Sequence, residues 1–457
     1  MRPLKSIAAG LASACLISAI AIAPASAQSL IRDTEIEHML RDYSDPLLTA
    51  AGLSPADVRL YIIADPTINA FVTGGQNIFL HTGTIIEAET PNQLKGVIAH
   101  ETGHIAGAHL ARIGDGMSAA QVPMFISLGL GLLAAFAGEG GAAGALMASS
   151  QQFGALSLMT YSRAQEASAD QAALQYLETS GQSAEGLVEF FERFRYQEVM
   201  SNARRFPYFR SHPLSSERIA ILRDNADAAQ HANVDDSPED IAYLQRIQGK
   251  IYGFLTEPEF VLYRYPRTDQ SLPARYARAV AYFRDARLDD ARVEIESLIE
   301  EEPNNPYFQE LYGQMLFETG HIAESIPYHR RSVELEPTAP LLRLNLAISL
   351  IATGNDDYLD DAQDNLQVAL DIEPDNGFAW YELSIVHERE GDTALAQLAV
   401  AEQAYASGDG ARAAMFASRA RADLEQGSPA WVRATEIESV ATTLAARQAR
   451  RFQIVSH

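Results

Sequence analysis

The stretch His100–His104, with the sequence His-Glu-Thr-Gly-His, constrains the fold of this chain more than any other. The apolar residues around it recur at helical spacing, which predicts a helix: Leu94, Val97, Ile98 and Ile105. On a helix, residues four apart lie one turn above each other, so the imidazoles of His100 and His104 can share one Zn²⁺. Glu101 lies beside them, placed to take a proton from the attacking water. The alternative is a polar patch on a buried helix, which is costly without partners.

A hydrolytic zinc site needs a third protein ligand and one position left for water. One class of such enzymes supplies a third His six residues after the second, but Leu110 stands there, and His109 falls one residue short on a different face. Another class takes a Glu from a later helix. Glu166 and Asp170 are four apart, so we expect Glu166 to bind the metal and Asp170 to accept the outward N–H of a ligand His. The alternative is that both are solvated surface acids.

The amino end is predicted to be a secretory signal peptide, residues 1–27. Arg2 and Lys5 precede an apolar run from residue 7 to 23, and small residues follow up to Ala27, where we expect cleavage. A permanent membrane anchor is the alternative. The single cysteine, Cys15, lies in the apolar run, so the exported protein relies on packing and metal rather than disulfides.

Charge and hydropathy limit the possible partners. The chain has 60 Asp and Glu against 35 Lys and Arg, a net charge of −25. This argues against nucleic acid and against electrostatic docking to anionic lipid.

The apolar segment 122–137 and the glycine-rich stretch after it are too short and broken for a membrane-spanning helix, which needs about 20 apolar residues. We expect an apolar helical hairpin over 122–147 that covers the active-site cleft or contacts the membrane surface, and core packing is the alternative.

A small sheet and a helical linker complete the first half of the chain. Residues 58–64 read as a strand, and 69–73 with 76–81 flank Gly74-Gly75 as a hairpin. A strand beside a zinc helix commonly offers its free edge to an extended peptide. The polar stretch 224–240 marks a boundary. We therefore predict a zinc metalloprotease domain over 28–225, and a linker with a helix over 226–271.

A repeat follows from residue 272. Pro303 and Pro337 are 34 residues apart and Pro374 comes 37 later, consistent with a three-residue insertion near 355–357. A period of 34 with two helices per unit is the tetratricopeptide signature, and stacked units form a concave groove. We predict this domain over 272–446 and a tail over 447–457. The pattern weakens from 399 to 446, where a low-complexity alanine-rich helix is the alternative.

The order of these features resembles one family over nearly the whole exported chain. Signal peptide, His-Glu-x-x-His helix, Glu166 and Asp170, a later His212-Pro213 and then the repeats are similar to the periplasmic β-barrel assembly-enhancing protease (BepA) family. This family is in the gluzincin group that includes HtpX. The resemblance implies a mainly α fold, in which a gluzincin metalloprotease domain with a small sheet precedes an α-solenoid of tetratricopeptide repeats. It also implies a periplasmic location and one Zn²⁺ per chain.

The resemblance further implies roles for single residues. His100, His104 and Glu166 match the zinc ligands, Glu101 the catalytic acid/base, and Asp170 the carboxylate behind a ligand His. His212, in the family's His-Pro-x-x-x-x-Arg stretch, is implied to reach the metal as a latency switch or to stabilise the oxyanion. The segment 122–147 matches a plug over the site.

The implied role is quality control and assembly of outer-membrane proteins. Unfolded or stalled outer-membrane proteins would be the clients, and the β-barrel assembly machinery would contact the repeats. Val72-Thr73 departs from the family's usual Leu-Pro before Gly-Gly, which leaves substrate preference open. Two other functions stay open: a chaperone or scaffold with a largely latent protease, and a membrane-surface protease that uses 122–147.

Overall fold

The computed structural model describes residues 30–73, 75–109, 163–200 and 212–455, the last two ranges without the side chains of 197–200 and 445–455. The predicted signal peptide and the segment 122–147 lie outside the described residues. The described part is mainly helical with one four-stranded sheet, so the predicted fold class is confirmed. No helix in these ranges is both long and apolar enough to span a bilayer.

The sheet lies near the amino end. Its strands are β1 (Leu30–Ile31), β2 (Arg59–Ile63), β3 (Ala70–Thr73) and β4 (Asn77–His81), in the order β1-β2-β4-β3. β2 pairs with β4 in parallel, whereas β1 with β2 and β3 with β4 pair antiparallel. The predicted strand at 58–64 and the predicted hairpin at 69–81 are therefore confirmed, and β3 is an edge strand.

In the described residues before the predicted linker, six helices share one hydrophobic core with this sheet. They are α1 (Thr34–Ala50), α2 (Thr82–Glu87), α3 (Pro91–Ala106), α4 (163–179), α5 (Glu185–Met200) and α6 (Ser216–Asp227). α3 begins where the sequence favours it. The Thr90 hydroxyl accepts a hydrogen bond from the Gln93 N–H, and Pro91 at the first helical position has no N–H that would be left without an acceptor. Leu94, Val97 and Ile98 on its apolar face are fully buried in the core that the sheet and helices share, and Ile105 is partly buried against that core. The polar residues His100, Glu101 and His104 are thereby held inside the domain.

The predicted linker contains α7 (Pro238–Leu255) and α8 (Pro258–Arg264). α7 is not a free connection, since Leu244, Ile247 and Ile251 are buried in the same core as the sheet. α7 also packs along the first helix of the repeats. It therefore joins the two halves of the chain through side-chain packing.

The repeat region is a row of antiparallel helix pairs. Its helices are α9 (Leu272–Arg284), α10 (Leu288–Glu301), α11 (Pro306–Glu318), α12 (Ile322–Leu335), α13 (Pro340–Ala352), α14 (Leu359–Ile372), α15 (Gly377–Glu390), α16 (Thr393–Ala406), α17 (Gly410–Asp423) and α18 (Pro429–Val455). The predicted insertion forms a 3₁₀ turn at Asp356–Tyr358. Beyond residue 399, α16, α17 and α18 share a core built largely of alanine, so paired helices continue there.

The start of α1 lies against the repeats. The buried Glu35 carboxylate accepts from Tyr276 at 2.9 Å and forms ion pairs with Lys250 and Arg246 at 3.1 and 2.7 Å. Beside it is a cavity of about 530 Å³, lined by α1, α7 and the α11 and α13 helices, in which Glu310 accepts from Asn345. Charged contacts thus fix the sheet-containing unit to the solenoid.

Candidate metal centre

Three segments that are far apart in sequence bring four ligand side chains together. α3 supplies His100 and His104, α4 supplies Glu166, and the chain just before α6 supplies His212. All four are buried, and their candidate ligand atoms lie within 4.8 Å of one another. Nitrogen and carboxylate donors of this kind are those that Zn²⁺ takes in proteins.

The spacing of these atoms fits one tetrahedral ion. His100 Nε2 lies 3.1 Å from His104 Nε2, 3.2 Å from His212 Nδ1 and 3.4 Å from a Glu166 oxygen. Glu166 oxygens are 3.2 Å from His212 Nδ1 and 3.5 Å from His104 Nε2. Four donors about 2.0–2.1 Å from a central ion stand roughly 3.3 Å apart. The measured distances are close to this value, and all four ligand atoms lie within 4.8 Å of one another, so the residues present fit a metal ion.

A layer of polar contacts lies behind the ligands. Asp170 Oδ1 is 3.0 Å from His100 Nδ1, as expected for a carboxylate that fixes the orientation of a ligand His. Arg218, on α6, pairs with both oxygens of Asp170, lies 3.0 Å from Glu166 and donates to the Pro213 carbonyl at 2.9 Å. This arginine ties the His212 segment to the helix that carries both acids.

Arg218 is positioned by the start of its helix. Ser215 caps α6 by accepting from the Arg218 N–H, and the guanidinium lies over the Phe191 ring at 5.3 Å. Arg218 is the arginine of the His-Pro-x-x-x-x-Arg stretch, and that motif was the only sign of it in the sequence.

His109 is a second residue whose place the sequence did not reveal. It lies beyond the end of α3, where Ala108 adopts a positive φ of 51° and turns the chain back. The His109 Nδ1 is then 3.0 Å from His104 Nδ1, on the side of that ring away from the ligand cluster. His109 is not among the four converging ligands, but it contacts one of them.

Glu101 is fully buried beside the cluster. Its nearest ionic neighbour is His212 Nε2, 3.5 Å from Oε1, and neither carboxylate oxygen accepts a hydrogen bond from any residue that the structure describes. Burial raises the pKa of Glu101 above its usual 4.5. A buried carboxylate with a raised pKa is costly for stability and is typical of an acid/base group.

The charges of the site are arranged by burial and hydrogen bonds. Burial alone would lower the pKa of His100, but hydrogen bonds to Asp170 and Glu166 outweigh it and raise that pKa to about 9. Burial, followed by the nearby His100, lowers the pKa of His104 to about 2. Hydrogen bonds from His100 and His212 hold the pKa of Glu166 well below 4.5 despite burial. The cluster thus combines a carboxylate with a neutral imidazole on His104.

Comparison with known proteins identifies the family of this chain. Peptidase family M48 matches residues 31–226. The metalloprotease LoiP of Escherichia coli strain K12 is 31% identical over 212 residues, which cover 45% of this chain and 74% of LoiP. The chain belongs to peptidase family M48. The β-barrel assembly-enhancing protease of the same strain is 26% identical over 331 residues, which cover 71% of this chain and 67% of that protein.

Membership of family M48 makes the chain a metalloendopeptidase and implies a bound metal. The match ends at residue 226, one residue before the end of α6, so it contains all the converging residues of the site. Among solved structures, a crystal structure of MamA is similar over 38% of this chain and 96% of that chain, at 19% identity and a TM-score of 0.28.

Proposed function

We propose that the chain is a zinc-dependent endopeptidase in which His100, His104 and Glu166 hold the ion. The observation that carries the proposal is the 3.1–3.5 Å spacing of their donor atoms around one point. When bound, zinc supplies positive charge that polarises the scissile carbonyl and makes water more acidic. Asp170 contacts His100 Nδ1, so it would hold the ring with Nε2 available to the ion.

Glu101 is the proposed acid/base. It takes a proton from the attacking water and then donates it to the leaving amine, and its raised pKa suits both steps. Its carboxylate is free of competing hydrogen-bond donors among the described residues, so it is available to the water. β3, the edge strand against which α3 packs, holds an extended peptide by backbone pairing.

His212 is proposed to keep the enzyme latent. Its Nδ1 lies 3.2 Å from His100 Nε2 and 3.2 Å from a Glu166 oxygen, so it would take the fourth position, which a catalytic site leaves for water. Cleavage then requires the His212 segment to move away. We expect His212→Ala to change the cleavage rate on an unfolded protein, and an unchanged rate would remove the switch from the proposal.

Glu101→Gln tests the catalytic assignment. The variant keeps the size of the side chain but removes the base, so it should abolish peptide cleavage while zinc content stays near one ion per chain. Metal analysis and a cleavage assay on an unfolded β-barrel protein measure the two quantities. Loss of zinc together with activity would contradict the assigned role, because Glu101 would then be holding the ion.

We further propose where the enzyme works. A signal peptide cleaved after Ala27 would deliver it to the periplasm, where a metalloprotease unit over 28–225 and repeats over 272–446 would act on unfolded or stalled outer-membrane proteins. Support comes from the similarity to β-barrel assembly-enhancing proteases. Crosslinking from the concave face of the repeats in cells tests this, with outer-membrane proteins or the assembly machinery as expected products.

A second candidate is a chaperone or scaffold with a mostly silent protease. The fourth ligand position filled by His212 favours it, because such a site is closed to water. Comparing Glu101→Gln with a deletion of 272–457 in cells separates the two functions. A defect caused by the deletion alone favours the scaffold, and equal defects favour the protease.

A further inference from the structure

Three aromatic rings stack across the sheet on the face away from the core. Tyr61 of β2 and Phe79 of β4 are paired in register with ring centroids 4.8 Å apart and planes 15° apart. Phe79 and Phe71 of β3 are likewise paired, at 5.1 Å and 7°. All three rings are half-buried. The stack runs at the spacing of neighbouring strands and ends on the edge strand, at Phe71.

The backbone of β3 is arranged to continue this stack. Ala70 and Val72 turn their side chains to the core, so Phe71 between them points to the opposite face. The His81 N–H donates to the Asn69 carbonyl at 3.0 Å, which makes that pair a hydrogen-bonded one. By the alternation of antiparallel strands, Phe71 also pairs inward with β4, and the N–H and C=O groups of Ala70 and Val72 point outward.

We propose that Phe71 is a specificity-determining residue that selects an aromatic side chain in the substrate. The inference rests on the proposed function, in which an extended peptide pairs with the free edge of β3. In an antiparallel arrangement, the substrate residue opposite Phe71 belongs to a non-hydrogen-bonded pair, where side chains are closest. A tyrosine or phenylalanine there becomes the fourth ring of the stack.

The strand order and the ring geometry favour an aromatic substrate side chain opposite Phe71 over an aliphatic one. β3 is the last strand of the sheet, and no strand lies beyond it in the part of the chain that the structure describes. Each existing step of the stack is a near-parallel ring pair set by strand spacing, a geometry that a planar side chain reproduces and a branched aliphatic one does not. We expect the preference for an aromatic over an alanine to be roughly threefold to tenfold.

The test uses binding and cleavage separately. Peptides that carry a single tyrosine at each position in turn, in an otherwise alanine and serine background, are titrated by fluorescence anisotropy against the zinc-loaded Glu101→Gln protein. The same peptides are then offered to the wild-type protein, and kcat/KM is measured. One position should bind roughly threefold to tenfold more tightly with tyrosine than with alanine, and its preference should appear in kcat/KM.

Two matched variants assign the preference. Phe71→Leu keeps an apolar side chain but removes the ring, and should remove the difference in affinity between the tyrosine peptide and the alanine peptide. Tyr61→Leu makes the same change at the far end of the stack and should keep the preference. A preference that survives Phe71→Leu, or no preference in the wild type, overturns the inference. Binding preference without any cleavage, by the wild type and also by His212→Ala, would support it and contradict the proposed protease, whereas cleavage without preference would do the reverse.

Discussion

Gly103, between the two histidines, sets the distance between the ligand helices. A Cβ built on Gly103 would lie 2.8 Å from the Ala169 carbonyl oxygen and 3.0 Å from the Ala169 Cα, both on α4. Ordinary van der Waals contact begins near 3.4 Å, so Gly103→Ala requires α4 to retreat by about 0.6 Å. Glu166 and Asp170 are on α4 and would move with it.

The expected loss follows from how precisely metals are bound. Metal–ligand distances tolerate about 0.2 Å, and disturbing the groups around a metal typically costs tenfold to a hundredfold in affinity. We therefore expect Gly103→Ala to weaken zinc binding by roughly that factor. The overpacking itself should cost about 1–3 kcal/mol of the free energy of unfolding, partly offset by the roughly 1 kcal/mol better helix propensity of alanine.

Gly96→Ala is the matched control. Gly96 lies two turns earlier on α3, and a Cβ there would meet the Leu187 Cβ and Cα on α5 at 2.7 and 2.9 Å. This clash is as severe but displaces a helix that carries none of the four ligands. Zinc affinity is measured by competition with a chromogenic chelator, and stability by denaturation of the metal-free proteins. Wild-type affinity in Gly103→Ala, or an equal loss in Gly96→Ala, would refute the reasoning.

Three further predictions concern the charged groups. Arg218→Met breaks a buried ion pair with Asp170 and should cost about 3–5 kcal/mol in denaturation experiments. Arg223→Met breaks a half-buried ion pair with Glu185 on the same helix, α6, and should cost at most about 1 kcal/mol. Equal losses would contradict this. Because the pKa of His100 is about 9, zinc binding at pH 7 should release about one proton, and zinc affinity should rise between pH 7 and 9. Calorimetry in buffers of different ionisation enthalpy measures the number of protons released. Release of no proton would contradict the prediction. Burial raises the pKa of Glu310 from 4.5 to about 7, so the protein loses stability as the pH rises between these two values. Glu310→Gln should therefore stabilise the protein more at pH 8 than at pH 4, and a gain independent of pH would contradict this.

The site could be predicted from sequence where its residues are periodic. His100 and His104 share a helix face by their spacing alone, and Glu166 and Asp170 share another, so the structure brings together what spacing had paired. His212 is different. It precedes a proline in a loop, and only the resemblance to a family attached it to the metal, since nothing local fixes where a loop side chain goes.

Residues that act through close packing were beyond reach of the sequence. In the sequence, nothing distinguishes Gly103 from other glycines in helices. Its role follows only from the close approach of α4, which the structure shows. His109 is excluded as a ligand by helical spacing, yet the turn at Ala108 returns its ring to His104. The predicted linker likewise contains α7, whose apolar face enters the core and could not be assigned to a partner from periodicity alone.

Anomalous diffraction at the zinc edge from crystals of the purified protein tests the central claim most directly. The account predicts one strong peak, bonded at about 2.0–2.2 Å to His100 Nε2, His104 Nε2 and a Glu166 oxygen. A zinc-loaded protein whose peak lies elsewhere, or whose ion leaves the Glu166 carboxylate out of bonding range, would contradict it.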